Sequence, residues 1–205
     1  PEKVFTATTE GTGGAKWRWP WRWRGGFQNS SSMVTRRMTR KDIDKIRRCK
    51  IQTDKWVATY PVEYYLWYIQ RFARYCWVVE TEREIVGYLL GKAEGIPYRA
   101  HVTAIAIDER FRGKGLARNL MKILEREADK ESCEFVDLFV DEGNKNAVDF
   151  YTRLGYKTFR RVHHYYSPGQ HALDMHKAMS TDPSKATEKR GKDITTEEMQ
   201  RWNVF

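Results

Sequence analysis

Arg112-Gly113-Lys114-Gly115-Leu116-Ala117 stands between an apolar run, Val102 to Ile107, and an amphipathic segment that begins at Leu116. The pattern reads as a strand, a glycine turn and the start of a helix. Such a turn collects unpaired backbone N–H groups at a helix N-terminus, where the helix dipole favours an anion. Arg112 and Lys114 add two cations. The stretch therefore predicts a phosphate cradle, with a strand edge leading into it.

Two commoner glycine motifs are excluded by single residues. A P-loop needs G-x-x-x-x-G-K-[ST], but Asp108 stands where the first glycine belongs and Gly115 where the Ser or Thr belongs. A dinucleotide fingerprint needs G-x-G-x-x-G, and Arg118 replaces its third glycine. What remains is R-x-x-G-x-A at a strand-to-helix junction.

Upstream of the turn, the periodicity begins after Met33, which reads as the start of the domain. Val34-Thr35-Arg36 fits a short strand. Thr39 caps a predicted helix with Asp42 in its first turn and Ile43, Ile46 and Cys49 on one face. Pro61 opens a second helix with a stripe of Val62, Tyr65, Leu66, Ile69, Phe72 and Ala73. Two strands follow, 76–81 and 85–94, joined by Glu82-Arg83-Glu84. Residues 101–107 form the central strand.

Downstream, the helix from Leu116 to Lys130 turns Leu120, Met121, Leu124 and Ala128 inward. Residues 135–140 form another buried strand. Asn144 caps a helix that carries Ala147, Val148, Tyr151 and Leu154 and ends at Gly155. Strands at 157–165 and 172–178 flank Ser167-Pro168-Gly169. The order is β-α-α-β-β-β-α-β-α-β-β, an α/β domain with a mixed central sheet flanked by helices, spanning 33–181. Residues 182–205 read as a polar tail, where Thr195-Thr196-Glu197-Glu198 fits the capping box of a short helix. Trp202, Val204 and Phe205 close it.

Residues 1–32 are Gly/Ser/Thr-rich around Lys16-Trp17-Arg18-Trp19-Pro20-Trp21-Arg22-Trp23-Arg24. Their composition reads as a disordered leader. The alternating Trp and Arg would also suit stacking on rRNA through residues 16–24. The net charge of +10 is uneven, with +3 in the leader, +7 in 33–181 and none in the tail. A basic body suits a polyanionic cofactor, an acidic substrate or RNA. No apolar run approaches the ~18 residues of a membrane span, so a cytoplasmic protein with no membrane partner is expected. Cys49, Cys76 and Cys133 are odd in number and scattered, so no disulfide framework or zinc site is expected and each reads as a small buried apolar residue.

R-x-x-G-x-A at this junction resembles the pyrophosphate-binding motif of the GCN5-related N-acetyltransferases, the GNAT family, which use acetyl-CoA. About 30 residues on, Asn144-x-x-Ala147-x-x-x-Tyr151-x-x-x-Gly155-Tyr156 resembles the second signature of that family. Within it, the closest likeness is to the N-terminal acetyltransferases of NatB type. The segments that carry this are Gly87-Tyr88, Gly91 to Gly95, His101 to Ala104, Val136 to Val140, Tyr151 to Tyr156, Tyr165-Tyr166-Ser167 and Asp174 to Ala178. The likeness runs from about Met33 to Ser180.

The resemblance implies a role for each matching residue. Ile105, Ala106 and Ile107 would line the acetyl and pantetheine arm with main-chain groups. Arg112, Gly113, Lys114, Gly115, Leu116 and Ala117 would hold the pyrophosphate, and Asn144 the pantetheine. His101 would deprotonate the incoming amine, and Tyr151 would be the acid at the CoA sulfur. Tyr60, Tyr165 and Tyr166 would clamp the peptide N-terminus. The family loop is acidic two residues before the tyrosine; here Ala58 stands there.

The implied activity is transfer of acetyl to the α-amine of nascent chains beginning Met-Asp, Met-Glu, Met-Asn or Met-Gln. The implied partners are a large helical-repeat auxiliary subunit, met through Arg47-Arg48-Lys50 and the second helix, and the ribosome near its exit tunnel. A peptide α-amine has a pKa of ~7.7–8.0, so about a tenth is nucleophilic at neutral pH and a histidine base suffices. No metal is needed. A NatA-type enzyme and a lysine acetyltransferase remain as alternatives within the family. A module that binds rRNA through the Trp/Arg arm is an alternative of another class.

Overall fold

A computed structural model describes residues 33–48, 56 and 59–201. The Trp/Arg stretch, Cys49, Lys50, Ala58 and the closing Trp202, Val204 and Phe205 lie outside the described residues. The chain runs β1 (Val34–Arg37), α1 (Ile43–Arg48), α2 (Val62–Arg71), β2 (Cys76–Glu80), β3 (Ile85–Glu94), β4 (Arg99–Ile107), α3 (Leu116–Lys130), β5 (Phe135–Asp141), α4 (Lys145–Arg153), β6 (Lys157–Ser167) and β7 (Gln170–Ala178). That is the expected order. The tail adds β8 (Ile194–Thr195) and α5 (Thr196–Arg201).

The strands form one mixed sheet in the order β1-β2-β3-β4-β5-β7-β6-β8. Pairing is antiparallel except between β4 and β5, which α3 joins as a crossover, and between β6 and β8. The sheet is covered on both faces. On one, Met38, Ile43 and Ile46 pack with Tyr65, Tyr68, Cys76, Val78 and Tyr88 beneath α1 and α2. On the other, Leu120, Met121, Leu124 and Ala128 of α3 meet Trp77, Val79, Leu89 and Val136. Burial on both faces explains why β2 and β3 read as near-continuous apolar runs rather than alternating ones.

Local signals set the helix ends. The Asp42 carboxylate accepts from the Thr39 N–H and hydroxyl, each at 2.8 Å. Asn144 Oδ1 accepts from the Ala147 N–H at 3.3 Å. In the tail, Glu198 accepts from the Thr195 N–H at 2.8 Å, and the Thr195 hydroxyl accepts from the Glu198 N–H at 3.2 Å. This is the reciprocal capping box that the sequence predicts for α5. The tail turn around Asp182 is tied in the same local way, to Ser184, Ala186 and Thr187.

A break in one ladder positions the site. In β3–β4 the register runs Leu90↔Ala104 and then Gly91↔Val102, which leaves Thr103 as an extra residue. Such a bulge bends its strand and increases the twist. On the other side of β4, the pairing with β5 ends at Val102↔Leu138, although β4 continues to Ile107 and β5 to Asp141. The two central strands therefore separate from the bulge onward. Gly91 permits the close approach, since a Cβ there would lie 2.8 Å from Leu124 Cδ1 and 3.0 Å from the His101 carbonyl oxygen.

Candidate active site

The β4 edge past the bulge carries Ile105, Ala106 and Ile107, whose main-chain groups facing β5 have no strand partner among the described residues. At its end the chain enters the glycine turn. Gly113 and Gly115 have φ of 75° and 77°, the left-handed region that glycine enters without penalty. Gly115 is the N-cap of α3, and a Cβ at either glycine would meet nothing within 4 Å. The turn is thus open in front of the first amides of α3. No acidic residue occupies the first turn of that helix. Arg112 Nε donates to the Ile107 carbonyl at 3.1 Å, which ties the turn back to the strand. Lys114 Nζ lies 4.9 Å from the centre of the Phe111 ring.

Strand edge and helix N-terminus together fit an elongated ligand with a pyrophosphate at one end. The edge offers amides and carbonyls, and the turn offers N–H groups, a helix dipole and cations. Asn144 and Tyr151 come from α4, beyond the separated end of β5. The Asn144 carbonyl oxygen is used in capping, so its NH₂ is the group left to face a ligand. Tyr151 is 8% exposed, packs edge-on against Phe150 and Tyr156, and is held protonated by desolvation well above the usual phenol range. A phenol that keeps its proton can act as an acid but not as a base.

The remaining predicted residues gather across the same opening. His101 sits two residues before the bulge, with Nδ1 3.1 Å from Asp137 Oδ1. Its ring is 5.7 Å from Phe139 on β5, and Phe139 stacks on Tyr165 at 4.9 Å and 15°. Tyr165 meets Tyr166 edge-on at 4.8 Å, and the Tyr166 hydroxyl donates to the Phe139 carbonyl at 3.3 Å. From the other side, Tyr60 stacks on Tyr64 at 4.5 Å. Desolvation, then Tyr64, Tyr65 and Tyr165, pushes the Tyr60 hydroxyl up to about 12. Tyr166 rises by desolvation and then through Tyr165, Asp141, Tyr151 and Tyr60. Of the four tyrosines, Tyr165 and Tyr166 are in direct contact, while Tyr60 packs with Tyr64 and Tyr65 and Tyr151 with Phe150 and Tyr156. All four phenols are raised by desolvation and stay neutral.

Sequence reasoning missed three residues here. Thr103 is the bulge. Tyr68 holds it from α2, with its hydroxyl 2.7 Å from Thr103 Oγ1. Asp137 is the buried partner of His101. Its signal was present: a carboxylate inside the apolar strand Phe135–Val140 must find cations or donors. Asp137, Asp174 and His176 also bring their ligand atoms within 4.8 Å of one another, the one such grouping among the described residues. Each is already bonded within the protein: Asp137 to His101, Asp174 to Arg160 and His176, and His176 to the Thr187 carbonyl. Cys76 and Cys133 are buried, as expected, and burial pushes both thiols up. No helix is long and apolar enough to cross a membrane among the described residues.

Comparison with known proteins adds an independent line. The family profile described as the acetyltransferase (GNAT) family matches residues 43–156, which take in His101, the glycine turn, Asn144 and Tyr151. The N-terminal acetyltransferase B complex catalytic subunit NAA20 of Arabidopsis thaliana is 38% identical over 146 residues, covering 69% of this chain and 84% of that protein. N-alpha-acetyltransferase 20 of Dictyostelium discoideum is 40% identical over 139 residues, covering 66% of this chain and 80% of that protein. Among solved structures, Chaetomium thermophilum Naa20 in complex with a bisubstrate analogue is similar with a TM-score of 0.74 and 30% identity, over 80% of this chain and 97% of that one.

Proposed function

The chain belongs to the acetyltransferase (GNAT) family, as an N-terminal acetyltransferase of NatB type, and from that premise we propose what it acts on and which residues do the work. It acetylates the α-amine of chains beginning Met-Asp, Met-Glu, Met-Asn or Met-Gln, using acetyl-CoA. The observation that carries this is the separation of β4 from β5 beside the glycine turn, with His101 and the tyrosines across it.

Acetyl-CoA, when bound, supplies the acetyl group as an activated thioester. Residues 105–107 and the turn from Arg112 to Ala117, with Asn144, are the groups that hold it. Tyr60, Tyr165 and Tyr166 orient the peptide end so that its nitrogen enters from the His101 side. His101 Nε2 takes the amine proton, and the amides of the β4 edge are the donors available to a developing oxyanion. Tyr151 holds the proton needed on the donor side.

Relatives named as catalytic subunits of an N-terminal acetyltransferase B complex support a second, auxiliary subunit for this chain. We assign it the large helical-repeat type, docked through α1 and α2, with the assembly in the cytoplasm near the ribosomal exit tunnel. Exposed Trp67 on α2, with Arg71 stacked 6.0 Å over its ring, suits such a face. The test is acetyl transfer to Met-Asp, Ser and Met-Leu peptides. The Met-Asp peptide should be preferred, and preference for either of the others overturns the assignment.

A further inference from the structure

Asp137 occupies a place that a central strand normally gives to an apolar residue. It is 3% exposed, on β5, one rung before the strands separate. In the register it faces His101 on β4 and His176 on β7, so a histidine, a carboxylate and a histidine lie in one row across three strands. Oδ1 meets His101 Nδ1 at 3.1 Å, and Oδ2 accepts from Arg99 Nε at 3.4 Å. His176 is fixed behind it, with Nδ1 2.8 Å from the Thr187 carbonyl and Nε2 3.0 Å from Asp174, between the rings of Phe135 and Phe159. Burial alone would raise the Asp137 carboxyl, but His101, Arg99 and His176 outweigh it and hold the group below the usual carboxylate range.

We propose that Asp137 is the positioning residue of His101. An ionised carboxylate can only accept, so Nδ1 of His101 carries the proton and the lone pair is left on Nε2. That tautomer is the one a base needs when its outer nitrogen meets the substrate. The peptide α-ammonium gives one proton to Nε2 and becomes the nucleophilic amine. The imidazolium then faces an ionised partner, and the proton passes from Nε2 to water after the product has left. Asp137 stays ionised throughout. The other titratable groups near His101 are Lys92 on β3, which pairs with Glu94, Arg99 on its own strand, and His176 beyond Asp137.

This inference rests on His101 being the base, so His101→Gln and Asp137→Asn are assayed side by side in the full chain on a Met-Asp peptide. In Asp137→Asn, kcat should fall roughly 10²- to 10⁴-fold, the scale that general-base catalysis contributes, with KM for acetyl-CoA within about twofold. The acidic limb of the pH–rate profile should move to lower pH, since the imidazole loses its countercharge. Nitrogen-15 NMR of the unaltered chain should show His101 protonated on Nδ1, and it decides the matter even if Asp137→Asn does not fold. Protonation on Nε2 overturns the proposal, as does Asp137→Asn with an unchanged rate and limb while His101→Gln is slow. A fast His101→Gln overturns the base and this inference with it. Preference for the Ser or Met-Leu peptide overturns the functional reading, while the His101→Gln and Asp137→Asn rates on the preferred peptide still decide this one.

Discussion

Tyr68 reaches from α2 to the bulge of β4, placing its hydroxyl 2.7 Å from Thr103 Oγ1. The contact links a helix packed behind the sheet to the residue where the central strands begin to part. The Tyr68 ring is buried against Tyr64 at 4.9 Å and Phe72 at 5.8 Å. Tyr68→Phe keeps that packing and removes the hydroxyl, with its short bond to Thr103 and a longer one accepted from the Tyr64 hydroxyl at 3.4 Å. We expect a stability loss of about 1 kcal/mol, the usual scale of one hydrogen bond. KM for acetyl-CoA should rise several-fold, because the freed bulge lets the β4 edge shift. Urea unfolding and steady-state kinetics check the two effects separately. A stability loss with unchanged KM would reduce Tyr68 to core packing.

Two glycines should fail for opposite reasons. At Gly115 a Cβ meets nothing within 4 Å, but φ is 77°, so alanine there costs about 1–2 kcal/mol of backbone strain. Its effect falls on the cradle: KM for acetyl-CoA should rise about tenfold with a small drop in Tm. At Gly87 the backbone is ordinary, but a Cβ would lie 2.5 Å from Ile107 Cδ1. Gly87→Ala is overpacking, at about 1–3 kcal/mol, and should lower Tm with less effect on KM. Thermal melts and kinetics on both variants should show this crossed pattern.

The buried pair Arg160–Asp174, 2.8 Å apart with the Asp174 side chain 1% exposed, should behave as buried ion pairs do. Asp174→Asn leaves Arg160 and His176 facing a neutral amide and should cost about 3–5 kcal/mol. Replacing both members, as Asp174→Leu with Arg160→Met, should cost less than the single change. Denaturant unfolding of the unaltered chain, Asp174→Asn and the double variant measures this, and a double variant less stable than Asp174→Asn would contradict it.

The sheet, the helices and three helix caps were legible because their signals are local. Thr39 with Asp42, Asn144 with Ala147, and Thr195 with Glu198 all lie three residues apart, and the apolar face of α3 repeats within one helix. Asn144 and Tyr151 were legible locally only as a cap and a position on the helix it starts; their site roles came from the resemblance of that spacing to the family signature. The bulge was not. Thr103 is extra only relative to the register of β3, and no pattern within β4 marks it. His101 and Asp137 are 36 residues apart and meet because parallel strands set them side by side. The two-residue strand Ile194–Thr195 is too short to show any periodicity. It forms because β6 offers an edge at Val162 and His163.

The hairpin that carries Tyr165 and Tyr166 should loosen in mild acid. The Gly169 N–H donates to His164 Nδ1 at 3.0 Å, and the His164 N–H to His171 Nδ1 at 3.1 Å. Both bonds need an unprotonated ring nitrogen. His171 is lowered from 6.5 by desolvation, then by Arg161, His164 and His163, with Glu142 opposing. A base depressed in the folded state is protonated first in the unfolded chain. The stability it contributes is therefore present above 6.5 and is lost as pH falls through the window below that value. The amide resonance of His164, which is bonded to His171, should move and KM for the peptide should rise across that window. His171→Gln retains an acceptor without titrating and should flatten the His164 response. A His164 amide that does not move on acidification would sink this reading.

The tail should matter to the peptide and not to acetyl-CoA. Met199 of α5 is fully buried in a small cluster with Val162, Ala172 and Ile194, and Phe139 and Tyr165 pack against that cluster. The backbone N–H of Arg161 donates to Asp193 at 2.7 Å, and the Thr196 hydroxyl to the His163 carbonyl at 2.9 Å. The tail thus holds the strand that leads into Tyr165-Tyr166. Met199→Ala empties the cluster, and core truncations of this size cost about 2–5 kcal/mol. A short terminal helix can detach alone, so most of that cost should appear as local opening. Hydrogen exchange should rise across residues 190–201 and in the second half of β6. KM for the peptide should increase about five- to tenfold, since Tyr165, one wall of the proposed peptide clamp, loses its support. KM for acetyl-CoA should stay unchanged, because Gly113 and Gly115 lead into α3 and Asn144 caps α4, and this cluster includes no residue of either helix. If the tail opens and neither constant changes, it is a cover for the sheet and not a brace for the site.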